Sequence, residues 1–148
     1  MAAKSARRKG VVDTSVVVAG IAAFKGFPRV SPSAKLLREW LEHGNFTWLV
    51  TEEILVEYRA VLSRLRVRPR VIGALINLLR EEAELVEHRS TPGLSPDPGD
   101  DPFCACAEAV GAAFIVTLNP KDFPQRKLRA KVISPGDPLP TTARRRAR

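Results

Sequence analysis

Short β-branched and apolar runs alternate along this chain with longer segments of helical period, and that alternation constrains the fold more than any other feature. Gly10 to Ser15, Phe46 to Val50, Leu85-Val86, Ala113 to Thr117 and Lys131 to Ser134 are too short for helices and read as strands. Helical segments separate most of them, and parallel neighbours need such crossovers. The expected class is therefore α/β: a three-layer α/β/α domain with a parallel sheet of four or five strands.

The helical segments carry their own punctuation. Ser31-Pro32 offers an N-cap followed by Pro at the first helical position, and Gly44 stops the apolar series Leu36, Leu37, Trp40, Leu41. Thr51 caps a second helix opening with Glu52 and Glu53, where acids suit the positive end of the helix dipole. Ile54, Leu55, Tyr58, Val61, Leu62 and Leu65 form its apolar side, with Glu57 among them in sequence. Pro69 to Ala83 predicts a third helix, and Pro102 to about Val110 a further one ended by Gly111. Val16 to Phe24 is read as a helix or turn leaving the first strand, and residues 89–101 as a Pro- and Gly-rich loop.

At 148 residues the chain suits one domain, taken as residues 10–140. Its net charge of +8 is concentrated at the ends. Lys4, Arg7, Arg8 and Lys9 precede the body, and Arg144, Arg145, Arg146 and Arg148 follow it, so the remaining basic residues balance the 16 acids. Residues 1–9 and 141–148 are expected to be disordered basic tails, able to attract phosphate backbones without reading sequence. The longest apolar stretch, Val16 to Ala23, is too short to span a bilayer, and no signal peptide is read, so the expected compartment is the cytoplasm. Cys104 and Cys106 are two residues apart on a predicted helix, too poorly oriented to pair, and read as packing residues.

The acids point to chemistry. Asp13 ends the first strand, Asp100 and Asp101 precede a helix, and Asn119 and Asp122 follow the strand at Ala113 to Thr117. In open parallel sheets, sites form outside the carboxyl ends of the strands, so these segments converge at one end. Glu57 joins them if its helix passes over that edge. Converging carboxylates repel one another unless a hard divalent cation lies between them. No Ser-His or Cys-His pair and no phosphate-cradling glycine loop is evident, which leaves metal-assisted hydrolysis. Each acid also has a structural reading: Asp13 in an Asx-turn, Asp101 as an N-cap, Glu57 on a solvated helix face.

Four segments carry a family resemblance: VVDTSVVVAG, TEEILVEYRAVLSR, DDPFCACAEAVGAAFIVT and TLNPKDFP. Over roughly residues 10 to 139 the chain resembles PIN-domain proteins, and in particular the toxin components of bacterial toxin–antitoxin pairs. The resemblance implies a divalent-metal-dependent ribonuclease using Mg²⁺ or Mn²⁺. It implies that Asp13, Glu57 and Asp101 bind the metal, with Asp100 accompanying them and Ser15 ordering the site. Asn119 stands where many relatives carry a fourth acid, a departure that puts a second metal in doubt. Asp122 is expected to supply the missing charge, as a further catalytic residue, and Lys121 to contact RNA. The implied partners are an RNA substrate, an antitoxin protein and a second copy of the chain; no sequence feature fixes the interface of the last, for which apolar residues of the helices at 32–43 and 52–66 are candidates. Two rivals stand beside this reading: a catalytically weak PIN-fold module that binds RNA or a partner, and a phosphotransfer domain with Asp13 as phosphoacceptor.

Overall fold

The computed structural model describes residues 8–23, 31–88 and 101–145. The strands are β1 (Lys9–Val12), β2 (Thr47–Val50), β3 (Glu84–Leu85), β4 (Phe114–Val116) and β5 (Lys131–Ile133). The helices are α1 (Thr14–Ala23), α2 (Pro32–His43), α3 (Glu52–Arg64), α4 (Pro69–Glu82) and α5 (Asp101–Val110). All five strands run parallel in the order β3-β2-β1-β4-β5, with helices on both sides, the α/β/α arrangement that the alternation predicts. The predicted strand and helix segments are all present, with boundaries shifted by a few residues. The loop expected at 89–101 lies outside the described residues except for Asp101, which opens α5. The basic tails expected at 1–9 and 141–148 are shorter than charge alone suggests: Lys9 belongs to β1, Arg8 donates to Leu139 O at 2.7 Å, and the Arg144 N–H donates to Arg129 O at 2.6 Å, while residues 1–7 and 146–148 lie outside the described residues.

β1 is shorter at its end than GVVDTS suggests, because α1 starts at Thr14, and the Asp13 carbonyl already accepts the Val16 N–H at 3.0 Å. The chain winds outward from β1 to β2 and β3, then crosses back to place β4 on the other side of β1. That reversal makes the carboxyl ends of β1 and β4 the switch point of the sheet, the place where open α/β sheets bind ligands. The interior explains the pairing: Val11, Val12, Leu49, Val50, Ile115 and Val116 are all buried without exposure, as central parallel strands covered on both faces require. Gly10 is needed at its place, since a Cβ there would lie 2.2 Å from the Phe114 ring.

The helix caps act as their residues suggest. Ser31 Oγ accepts the Ala34 N–H at 3.0 Å, and Thr51 Oγ1 accepts that of Ile54 at 3.1 Å. α2 ends at Gly44 in the left-handed region, φ 55°. α3 ends in a Schellman turn: Val67 N–H donates to Leu62 O and Arg66 N–H to Ser63 O, both at 3.0 Å. This turn puts Arg66 at φ 62°, a conformation that costs a side-chain-bearing residue about 1–2 kcal/mol.

Candidate active site

Asp13 directly follows β1 at the switch point of the sheet and is only 6% exposed. Its main chain is fixed from both sides: its N–H donates to Val116 O of β4 at 2.9 Å, and its carbonyl caps α1. The carboxylate is held as well. Oδ2 accepts from Ser15 Oγ at 2.5 Å and from Thr117 Oγ1 at 2.8 Å. These two hydroxyl donors, with the N-terminus of α1 beneath, offset the cost of burying an acid next to Val11-Val12. Oδ1 accepts no hydrogen bond among the described residues, and no Lys or Arg there pairs with Asp13.

The hydroxyls form a connected set. Ser15 Oγ also accepts the Leu118 N–H at 3.1 Å, and Thr117 Oγ1 accepts the Asn119 N–H at 3.0 Å. The segment after β4 is thereby tied to the end of β1. Asn119, Lys121 and Asp122 are exposed; Asn119 precedes a 3₁₀ turn over Pro120–Asp122 that holds the other two, with the Asp122 N–H bonded to Asn119 O at 3.0 Å.

Glu57 is half-buried on α3, and Thr14 Oγ1 makes a long 3.5 Å hydrogen bond to its Oε2. Since Thr14 follows Asp13 directly, this contact brings the Glu57 carboxylate to the same end of the sheet. The adjacent Tyr58 is the linchpin of the packing. Its hydroxyl donates to Val12 O and accepts from Trp48 Nε1 at 3.3 Å, while its ring lies 6.0 Å from that of Phe103. Val12 neighbours Asp13, Tyr58 neighbours Glu57, and Phe103 is two residues after Asp101. One buried tyrosine thus joins the three segments that bear these acids. Burial pushes the Tyr58 phenol well above its ordinary pKa, with the negative charges of Asp13 and Glu57 contributing, so it stays protonated and donates.

The backbone of Asp101 opens α5, but its side chain, and all of Asp100, lie outside the described residues. Among the described residues no group of three His, Cys, Asp or Glu side chains is gathered to hold an ion. Asp122 therefore does not complete a set of three with Asp13 and Glu57 there. Thr14, Thr117 and Tyr58 carry supporting roles that reading the acids alone does not assign. Thr117 has a signal in hindsight, a buried hydroxyl ending an apolar strand. Tyr58 is concealed in the apolar side of α3, where its phenol resembles any core aromatic.

A parallel sheet with a fixed, buried carboxylate at its switch point defines an α/β domain whose site is built from acids and hydroxyls. A family model described as the PIN domain matches residues 9–121, and the chain belongs to that family. No curated protein matches it. The PIN domain is a nuclease-type fold, generally using divalent metal ions, so the chain has the architecture of a nucleic-acid hydrolase. No helix among the described residues is long and apolar enough to cross a membrane.

Proposed function

We propose that this protein is a divalent-metal-dependent ribonuclease that hydrolyses RNA phosphodiester bonds, acting in the cytoplasm as the toxin of a toxin–antitoxin pair. The observation that carries the enzymatic part is the Asp13 carboxylate. One oxygen is fixed by two hydroxyls, the other accepts no hydrogen bond among the described residues, and no cationic side chain there neutralises it. A hard divalent cation fits that donor set, because it takes oxygen ligands and commonly uses only one or two carboxylates beside water and phosphate. In this reading Asp13 and Asp101 hold Mg²⁺ or Mn²⁺ and Glu57 completes the set. Such an ion supplies polarisation of the phosphoryl oxygens and activation of a water for attack on phosphorus.

The chain's own residues do the positioning. Ser15 and Thr117 hold Asp13 against rotation, so its second oxygen keeps one direction. Thr14 orients Glu57. Asp100 adds negative charge beside Asp101, while Asn119 and Asp122 face substrate or a second ion and Lys121 contacts the RNA backbone. The antitoxin, and a homodimer, belong to the same proposal.

The test uses purified full-length protein with single-stranded RNA and Mn²⁺ or Mg²⁺. Cleavage that chelation stops and Asp13→Asn abolishes is the expected result. If no RNA is cut with either ion, and calorimetry finds Mn²⁺ binding unchanged in Asp13→Asn, the reading fails. The toxin role predicts co-purification with the product of a neighbouring short reading frame. A second reading, an RNA-binding module that does not cut, is favoured by the amide at Asn119. It predicts a salt-sensitive RNA complex and no cleavage with any divalent ion.

A further inference from the structure

Between Glu57 and Glu81 the sequence has no acid, yet it holds Arg64, Arg66, Arg68 and Arg70 within seven residues. All four are exposed at the tip where α3 turns into α4, and none has an ion-pair partner among the described residues. Arg80, further along α4, is instead engaged with Glu52 at 2.8 and 3.0 Å.

Three of the four occupy positions that folding alone fills with other residues. Arg66 has the left-handed conformation of a helix C′ position, where glycine is the default. Arg68 is the N-cap of α4 and makes no side-chain capping bond, in a place where Ser, Thr, Asp or Asn stabilises. Arg70 is in the first turn of α4, which contains no acid, so its charge meets the positive end of the helix dipole. Arginine at three locally unfavourable positions in succession points to a role outside the fold.

The geometry connects this tip to the site. Arg64 is seven residues beyond Glu57 on α3, so the two share one side of the helix about 10 Å apart along its axis. We infer that Arg64, Arg66, Arg68 and Arg70 form a phosphate-binding surface that receives single-stranded RNA as it leaves the carboxylate site. The inference deepens the ribonuclease reading and rests on RNA being the substrate. Guanidinium groups suit it, since their forked donors match phosphate oxygens. No base contact is implied, so the surface raises affinity without selecting sequence.

The test measures binding of a fluorescently labelled single-stranded RNA by anisotropy, with full-length protein and EDTA present so that cleavage plays no part. Combined Arg64→Ala, Arg68→Ala and Arg70→Ala is expected to weaken binding about tenfold or more and to flatten the log K against log salt slope by about 0.7 per lost contact. Arg66→Gly separates binding from folding: it relieves the left-handed strain, so Tm holds or rises while the salt slope falls. Arg59→Ala removes an exposed arginine on the opposite flank of α3 and leaves affinity unchanged. RNA binding that none of the tip variants alters, or that Arg59→Ala weakens equally, overturns the proposal. Asp13-dependent cleavage with arginine-independent binding sinks this inference alone. Arginine-dependent binding in a protein that never cuts RNA keeps the surface and sinks the nuclease reading.

Discussion

Thr117 Oγ1, at the end of β4, donates to Asp13 Oδ2, at the end of β1, over 2.8 Å and 104 residues of sequence. The bond spans the switch point of the sheet and fixes which carboxylate oxygen remains for other partners. Thr117→Val keeps the shape and removes the donor. It is expected to lower Mn²⁺ affinity or cleavage about 10- to 100-fold, the usual effect of losing a group that orients a ligand. Thr117→Ser restores most of it. Metal titration of the three proteins checks the order; equal affinities would show that Ser15 suffices.

Tyr58→Phe separates packing from hydrogen bonding. The ring contact with Phe103 survives, but the buried Val12 carbonyl loses its phenol donor and Trp48 Nε1 loses its acceptor. A destabilisation of about 1–3 kcal/mol follows from leaving such groups unsatisfied. Urea unfolding measures it through the midpoint, with the m-value unchanged.

Metal binding predicts its own stabilisation. An ion that binds the folded chain raises unfolding free energy by about 2.7 kcal/mol at a hundred times its Kd. Thermal unfolding with and without Mn²⁺ is expected to show a rise for the wild type and none for Asp13→Asn.

Alkaline pH is expected to weaken the fold. Burial pushes the Cys106 thiol up from 9.0 to about 12, with the Glu84 carboxylate adding to the effect. Between those values the unfolded chain has released the proton and the folded chain retains it, so stability is complete below pH 9 and falls as pH rises towards 12. Each pH unit within that window costs at most about 1.4 kcal/mol from this group. Tyr58 shifts in the same direction. Denaturation at pH 8 and pH 10 is expected to show the loss, and Cys106→Ala to reduce it.

Gly10→Ala tests the close approach of β1 and β4. The added methyl would meet the Phe114 ring at 2.2 Å, and the ring has no empty side to enter because it is itself fully buried. Overpacking of this kind costs about 1–3 kcal/mol. The variant is expected to unfold at lower denaturant; an unchanged midpoint would mean that the sheet yields easily there.

Much of the fold was legible because local signals agreed with one another. Ser31-Pro32 and Thr51 each announced a helix and each caps one, and the apolar runs became strands where crossovers required. Sequence could bring Asp13, Asp101 and Asn119 to one end of a sheet, but it could not tell which strand lies beside β1. Thr117 gains its role only from that neighbour relation. Tyr58 was visible as part of an apolar stripe, and nothing local distinguishes a phenol that bonds a distant carbonyl from one that only fills space. The arginine tip escaped for another reason. Charge counted by segment gave basic tails and a balanced body, an average in which four arginines at alternate positions disappear.

The placement of β1 in the middle of the sheet governs when the end of that strand gains its second neighbour. This strand is synthesised about a hundred residues ahead of the one that closes its second edge. A growing chain therefore carries Asp13 and its local partner Ser15 long before Thr117, the second hydroxyl that holds the carboxylate, exists. Chains released short of Thr117 would carry an open central edge, prone to stick to one another, with Asp13 left to Ser15 Oγ alone.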